Sequence, residues 1–206
     1  MNRVATTQLD ELLQAGRLWR GGAPAHARAK PTGFAALDAR LPGGGWPLGA
    51  LSEILHDRPG VGEVSIALPL IARLTRARRW IAFVAPPYTP YAPALADAGV
   101  DLSRVLVIEP ADPAQALWSA EQLLRAGAGA VLAWSRTSDV QVLRRLQLAA
   151  ETADNVALLY RPLSASRGFS PTALRLRVWR GEDGAPQVEI VKCRGANAGA
   201  RIALAQ

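Results

Sequence analysis

Beyond residue 50, short apolar runs of strand length alternate with longer segments whose apolar residues recur at helical spacing. The runs are Leu51 to Leu55, Trp80 to Ala85, Arg104 to Ile108, Ala130 to Trp134 and Val156 to Tyr160. Between them, Glu63 to about Arg78 predicts a helix that Pro69 should bend, and Pro90 to Ala98 a short one. Asp112 and Pro113 have the N-cap and first-turn chemistry of a helix start. Ala116, Leu117, Ala120, Leu123 and Leu124 follow on one face, up to a C-terminal cap at Gly127. Ser138 to Ala153 repeats the pattern, with Val142, Leu143, Leu146, Ala149 and Ala150 inward and Arg144 and Arg145 outward. Near-continuous apolar strands separated by helices predict an α/β fold. Its sheet should be mostly parallel and twisted, with helices on both faces.

The pattern changes towards the C-terminus. Leu174, Leu176 and Val178 alternate with Arg175 and Arg177, and Arg180 follows. After a Gly181 to Gly184 turn come further strands at Val188 to Cys193 and Ala200 to Leu204. This predicts an antiparallel meander on the sheet edge, with one face buried and one rich in arginine. At the other end, Thr7 to Leu18 reads as a short helix with Leu9, Leu12 and Leu13 on one face and Thr7 and Asp10 as a capping pair. Gly21 to Pro31 reads as a linker. The expected division is therefore 1–30, helix and linker, and 31–206, the core domain.

No run of about 18 apolar residues marks a membrane span. Met1 to Arg20 contains Asp10 and Glu11 and lacks the apolar centre of a signal peptide. The single cysteine, Cys193, has no internal disulfide partner. These features lead to the expectation of a cytoplasmic protein. The formal charge of +7 comes almost wholly from arginine, since only Lys30 and Lys192 are lysines. Such an excess favours anionic partners, DNA or an acidic protein face, but it equally describes a solvated basic surface.

Several ordered segments carry a resemblance. Thr32-Gly-Phe-Ala-Ala-Leu-Asp38, the run Gly43-Gly-Gly-Trp-Pro-Leu-Gly49, the strand Ser52-Glu-Ile-Leu55, Ala82-Phe-Val84, the Ala98-Gly-Val-Asp101 turn, Gln115-Ala-Leu117, Ala130-Val-Leu-Ala133 and Val188 to Arg194 stand in the order found in the RecA recombinase core. Over roughly residues 30 to 204 the chain resembles that core. Within the superfamily it is most similar to the ImuA family of translesion-synthesis-associated proteins, which is grouped with the SulA-like division inhibitors. The resemblance implies a RecA-like fold. It also implies a role in SOS-induced mutagenesis beside an ImuB-type, Y-family-like protein, with RecA and an error-prone replicative-type polymerase as further partners. The SulA-like alternative implies binding to the tubulin-like division protein FtsZ.

The place of a phosphate loop is occupied by different chemistry. The pattern G-x-x-x-x-G-K-S/T aims backbone N–H groups at phosphate, neutralises charge with lysine and holds Mg²⁺ through a hydroxyl. Here the corresponding residues are Asp57, Arg58, Pro59, Gly60, Val61, Gly62, Glu63 and Val64. Asp57 replaces the first glycine, Pro59 removes a donor, Glu63 replaces the lysine and Val64 the hydroxyl. At about 4 Å and an effective dielectric near 20, one charge pair is worth about 4 kcal/mol, and Glu63 reverses its sign. Ser65 comes one residue late, and Arg58 is the loop's only cation. Pro87 stands where RecA-like ATPases carry the acid that activates water, and Trp134 where an aspartate would hold Mg²⁺. The expectation is a non-catalytic protein without a nucleotide or metal cofactor. His26 and His56 form no cluster of metal-ligand spacing, and Ser135 and Ser138 have no nearby base in sequence.

Three candidate contact surfaces remain. The resemblance implies that Leu9, Leu12 and Leu13, with Trp19, dock on another RecA-like core; their apolar face equally suits packing on their own domain. Arg161, Arg167 and Phe169 lie where RecA carries a DNA-binding loop, in a shorter segment, and suit phosphate contact and base stacking. Arg175 and Arg177, projecting together, with Arg180 at the turn, suit phosphate or an acidic tail, or a solvated sheet face.

Overall fold

The computed structural model describes residues 28–182 and 184–204. Leu9, Leu12, Leu13 and Trp19 lie outside them. Among the described residues the central element is an eight-stranded sheet. Its strands are β3 (Ala50–His56), β4 (Ile81–Val84), β5 (Val105–Ile108), β6 (Ala130–Trp134), β7 (Val156–Pro162), β8 (Leu174–Arg180), β9 (Pro186–Cys193) and β10 (Arg201–Ala203). Their order across the sheet is β10-β9-β8-β3-β7-β6-β4-β5. The strands from β8 to β5 in that order pair in parallel, and β9 and β10 are antiparallel additions at the β8 side. Both the parallel sheet and the terminal meander expected from the sequence are present. A separate pair joins β1 (Ala29–Lys30) to β2 (Trp46–Pro47), so the end of the expected linker is a strand. Lys30 lies beside Trp46, which is fully buried.

Two apolar layers cover the sheet. On one face, Ile54, Phe83, Leu132, Leu158, Tyr160 and Leu176 pack with α2 (Leu68–Arg76), α3 (Ala92–Asp97) and the short α1 (Ala35–Asp38). On the other, Leu51, Val84, Val131 and Leu159 meet α4 (Pro113–Arg125) and α5 (Val140–Glu151). Alternation along each strand assigns neighbouring residues to opposite layers.

Helix ends follow local chemistry. The Asp112 carboxylate accepts the Gln115 N–H and that of Asp139 the Gln141 N–H, capping α4 and α5. Gly127 has φ 78° and closes α4 with paired bonds from Gly127 N to Leu124 O and Ala128 N to Leu123 O. Pro69 does not bend a long helix. A 3₁₀ turn, Ser65–Ala67, precedes α2, and Pro69 falls in the first turn of α2, where the missing N–H has no intrahelical role.

Candidate functional site

Parallel strands present their carboxyl ends together, and a crevice opens where successive connections leave in different directions. Here β3 is flanked by β7 and β8, while the chain leaving it returns at β4, beyond β7 and β6. The segment 57–64 leaves β3 at that point. It lines a cleft of about 300 Å³ with residues that follow β4 and with Trp134 at the end of β6.

Within the loop, Gly60 and Gly62 have φ of 85° and 86°, a left-handed backbone that glycine adopts without strain. The loop turns back on itself. Both carboxylate oxygens of Glu63 lie 3.1 Å from the Gly60 nitrogen and accept its N–H. Glu63 is only 3 % exposed. A side-chain carboxylate thus takes a backbone donor that a phosphate loop would present to its ligand. The Ser65 hydroxyl donates to the Gly62 carbonyl at 2.6 Å, so it is engaged inside the loop. Arg58 is exposed, and Asp57 lies 3.5 Å from the guanidinium of Arg177.

The floor of the cleft is aromatic. Tyr160 and Trp134 are register partners on β7 and β6. Strands lie about 4.8 Å apart, so in-register rings meet face to face: their centroids are 4.4 Å apart and their planes 11° from parallel. Phe83 continues the stack at 6.2 Å from Trp134. Burial pushes the Tyr160 hydroxyl far above its usual range, and the negative charge of Glu63 adds to the effect. Ala85, just past β4, holds φ 51° while its N–H reaches Ile108 O. That turn delivers Pro86 and Pro87 to the cleft wall, and Tyr88 and Tyr91, each 70 % exposed, stand at its mouth. Pro87, where the resemblance implies a catalytic acid, lies in a proline-rich turn, and Trp134, where it implies a magnesium ligand, is an indole in a stack.

A second cluster corrects two expectations. Arg161 and Arg175 do not reach solvent; they are 3 % and 5 % exposed. Both bind Glu53, which is wholly buried on β3. Arg161 Nη1 donates to Glu53 Oε1 at 2.9 Å and Arg175 Nε to Oε2 at 2.6 Å. The Ser170 hydroxyl donates to Oε1 at 2.7 Å. The sheet register brings these side chains together on one face, since Glu53 pairs with Arg175 and Leu55 with Arg161. The outer nitrogens of Arg175 tie down the 3₁₀ turn Leu163–Arg167 and the residue beyond it through the carbonyls of Ala165, Ser166 and Gly168. Arg161 does the same to Thr137 O. These arginines hold β3, β7, β8 and two loops together and are not free for an anionic partner. Arg175 and Arg177 share a face, as alternation predicts, but that face is not an open arginine surface. Arg175 is covered by the 3₁₀ turn, and Arg177 is half-buried against Asp57 with its guanidinium 5.4 Å from the Trp179 ring centre.

Arg167, Phe169 and Arg180 are exposed. Phe169 is 69 % exposed, at the tip beyond the tethered turn, with Arg167 close by in sequence. Arg180 instead borders the cleft beside Gly62, with Nη1 donating to Gly184 O at 2.7 Å. Sequence reasoning missed Glu53 and Tyr160. A carboxylate in the middle of an apolar strand was the available signal for Glu53, because such a group is almost never fully buried without a partner. Tyr160 carried no comparable signal, because its role depends on the register with Trp134.

The sequence pattern of the family described as "Cell division inhibitor SulA" matches residues 49–157, from the start of β3 into β7. That is more than half of the chain. The chain belongs to the SulA family. Its SulA region comprises β3 to β6, the helices between and after them, and most of the residues that line the candidate cleft, though not Tyr160 or Arg180. This SulA-family chain is also similar to RecA proteins. It is 34% identical to Protein RecA of Symbiobacterium thermophilum over 131 residues, which are 61% of this chain and 36% of that protein. It is 36% identical to Protein RecA of Salinispora arenicola over 130 residues, with the same shares covered. The chain thus spans about a third of the length of these curated RecA proteins. Among the described residues no helix is long and apolar enough to cross a membrane.

Proposed function

We propose that this SulA-family, RecA-like chain is a non-catalytic accessory protein of SOS-induced translesion synthesis, acting through protein contacts with an ImuB-type, Y-family-like partner and with RecA. An error-prone replicative-type polymerase belongs to the same proposed assembly. The observation that carries the reading is the loop after β3, folded back onto the buried carboxylate of Glu63. A carboxylate in the lysine's place repels phosphate, and no positive side chain is bonded to it among the described residues. Pro87, in the turn after β4, and Trp134, at the end of β6, support the same conclusion. The RecA similarity suits a protein that works beside RecA and DNA, with Arg167 and Phe169 as the exposed candidates for contact.

Co-purification from DNA-damaged cells tests the proposal. The expected result is recovery of the ImuB-type protein or RecA with the tagged chain. Recovery of neither, with Mg²⁺-dependent ATP binding seen by calorimetry, would overturn it.

A second reading is favoured by the family match, whose description is of a cell division inhibitor: a division inhibitor for which FtsZ is the proposed target. It predicts inhibition of FtsZ polymerisation by the purified chain, and an unchanged polymerisation rate would remove it.

A further inference from the structure

The cleft beside the loop after β3 is lined by different chemistry from that of a phosphate site. A phosphate loop surrounds an anion with donors and a cation. Here the wall contains the buried carboxylate of Glu63, bonded to the Gly60 N–H and without an ion-pair partner among the described residues. A buried carboxylate is costly unless it is paired. Apart from Arg180 at the border, the remaining walls are mainly aromatic and apolar: Phe83 and Trp134 inside, Tyr88 and Tyr91 at the mouth. Ring faces attract cations, and a planar guanidinium both stacks on them and forks onto a carboxylate. The two exposed tyrosines with Pro87 make an aromatic, apolar rim, the surface type enriched at the centre of protein interfaces. At about 300 Å³ the cleft is at the small end of ligand pockets, suited to one long side chain. A bare metal ion finds few oxygen ligands there, and a triphosphate meets the wrong charge.

We infer that this cleft takes an arginine side chain from a partner protein, its guanidinium meeting Glu63 and stacking among Tyr88, Tyr91 and Trp134. The inference rests on the reading that the loop no longer serves a triphosphate. Arg180 borders the same cleft with its guanidinium held by Gly184 O, and its like charge opposes entry.

The test titrates the full chain with acetyl-Gly-Arg-Gly-amide, followed by NMR. The same peptide carrying neutral citrulline in place of arginine is run beside it. The arginine peptide should shift Glu63, Tyr91 and Trp134, and the citrulline peptide should bind about tenfold more weakly or worse, the loss expected for a charge-assisted pair. E63Q keeps an acceptor for the Gly60 N–H and should weaken the arginine peptide by about tenfold. Y88A/Y91A removes exposed rings only and should weaken it several-fold, whereas R180A should tighten it. Equal binding of the two peptides, or an unchanged affinity in both E63Q and Y88A/Y91A, would overturn the proposal. A parallel titration with Mg²⁺-ATP separates the two readings. Failure of the arginine peptide without ATP binding sinks the cation site alone, whereas ATP binding in the cleft sinks the reading of the loop as well.

Discussion

Replacing Glu53 by glutamine should destabilise the fold more than almost any other conservative change. The carboxylate accepts from Arg161 at 2.9 Å, Ser170 at 2.7 Å and Arg175 at 2.6 Å, and both arginine side chains are nearly inaccessible to water. Glutamine preserves the shape but presents an NH₂ group where one arginine now finds an oxygen. Two buried guanidinium groups are then left facing each other without a counter-charge. Removing one partner of a buried ion pair costs about 3–5 kcal/mol, mostly through the charge left behind. For a domain of this size, about 2–4 °C per kcal/mol gives a fall in Tm of roughly 6–20 °C. Urea denaturation followed by tryptophan fluorescence measures the free energy, and calorimetry measures Tm. The same network predicts that E53L/R161M/R175M, which removes all three charges, recovers most of the loss, because apolar side chains avoid the desolvation that burying ions requires. A loss below about 1 kcal/mol for E53Q would refute the reasoning, since that is the range of a pair exposed to water. It would mean that solvent reaches Arg161 and Arg175 and would restore them as contact residues.

Other expectations follow from single features. Arg78 occupies the left-handed position that ends α2, at φ 61°, with bonds from Arg78 N to Thr75 O and Arg79 N to Leu74 O. Glycine fits that position without strain, so Arg78→Gly should raise stability by about 1 kcal/mol in thermal denaturation; its 3.8 Å contact with Asp101 is exposed and offsets little. Burial alone would raise the Glu121 carboxyl, but hydrogen bonds from Arg145 and Arg125 outweigh it and hold the group below its usual value of 4.5. Its stabilisation is therefore full above about pH 4.5 and is lost as the pH falls through the depressed folded-state value. E121Q should show a flatter stability profile across that acidic window, and parallel profiles for the two proteins would contradict the assignment. Burial pushes the Cys193 thiol up, so alkylation by iodoacetamide near neutral pH should be much slower in the folded chain than in urea; equal rates would count against that burial.

Sequence alone determined the layered α/β architecture, because the period of apolar residues states whether a segment exposes one stripe or none. The runs at Ala130–Trp134 and Val156 onward are strands of the expected parallel sheet, Asp112 caps its helix, and Gly127 ends it. The unusual chemistry of residues 57–64 was equally legible, since it lies in consecutive residues. Tertiary structure decided what those residues touch. Arg175 reads as an outward-facing arginine on an alternating strand, and only its register with Glu53, 122 positions away, makes it an internal strut. Tyr160 and Trp134 stack because β7 and β6 are neighbours. Glu63 reads as a lost lysine, and folding turns it into a buried carboxylate beneath an aromatic rim. Periodicity records which face of an element is apolar. Which charges are neutralised is settled by contacts between strands far apart in the chain.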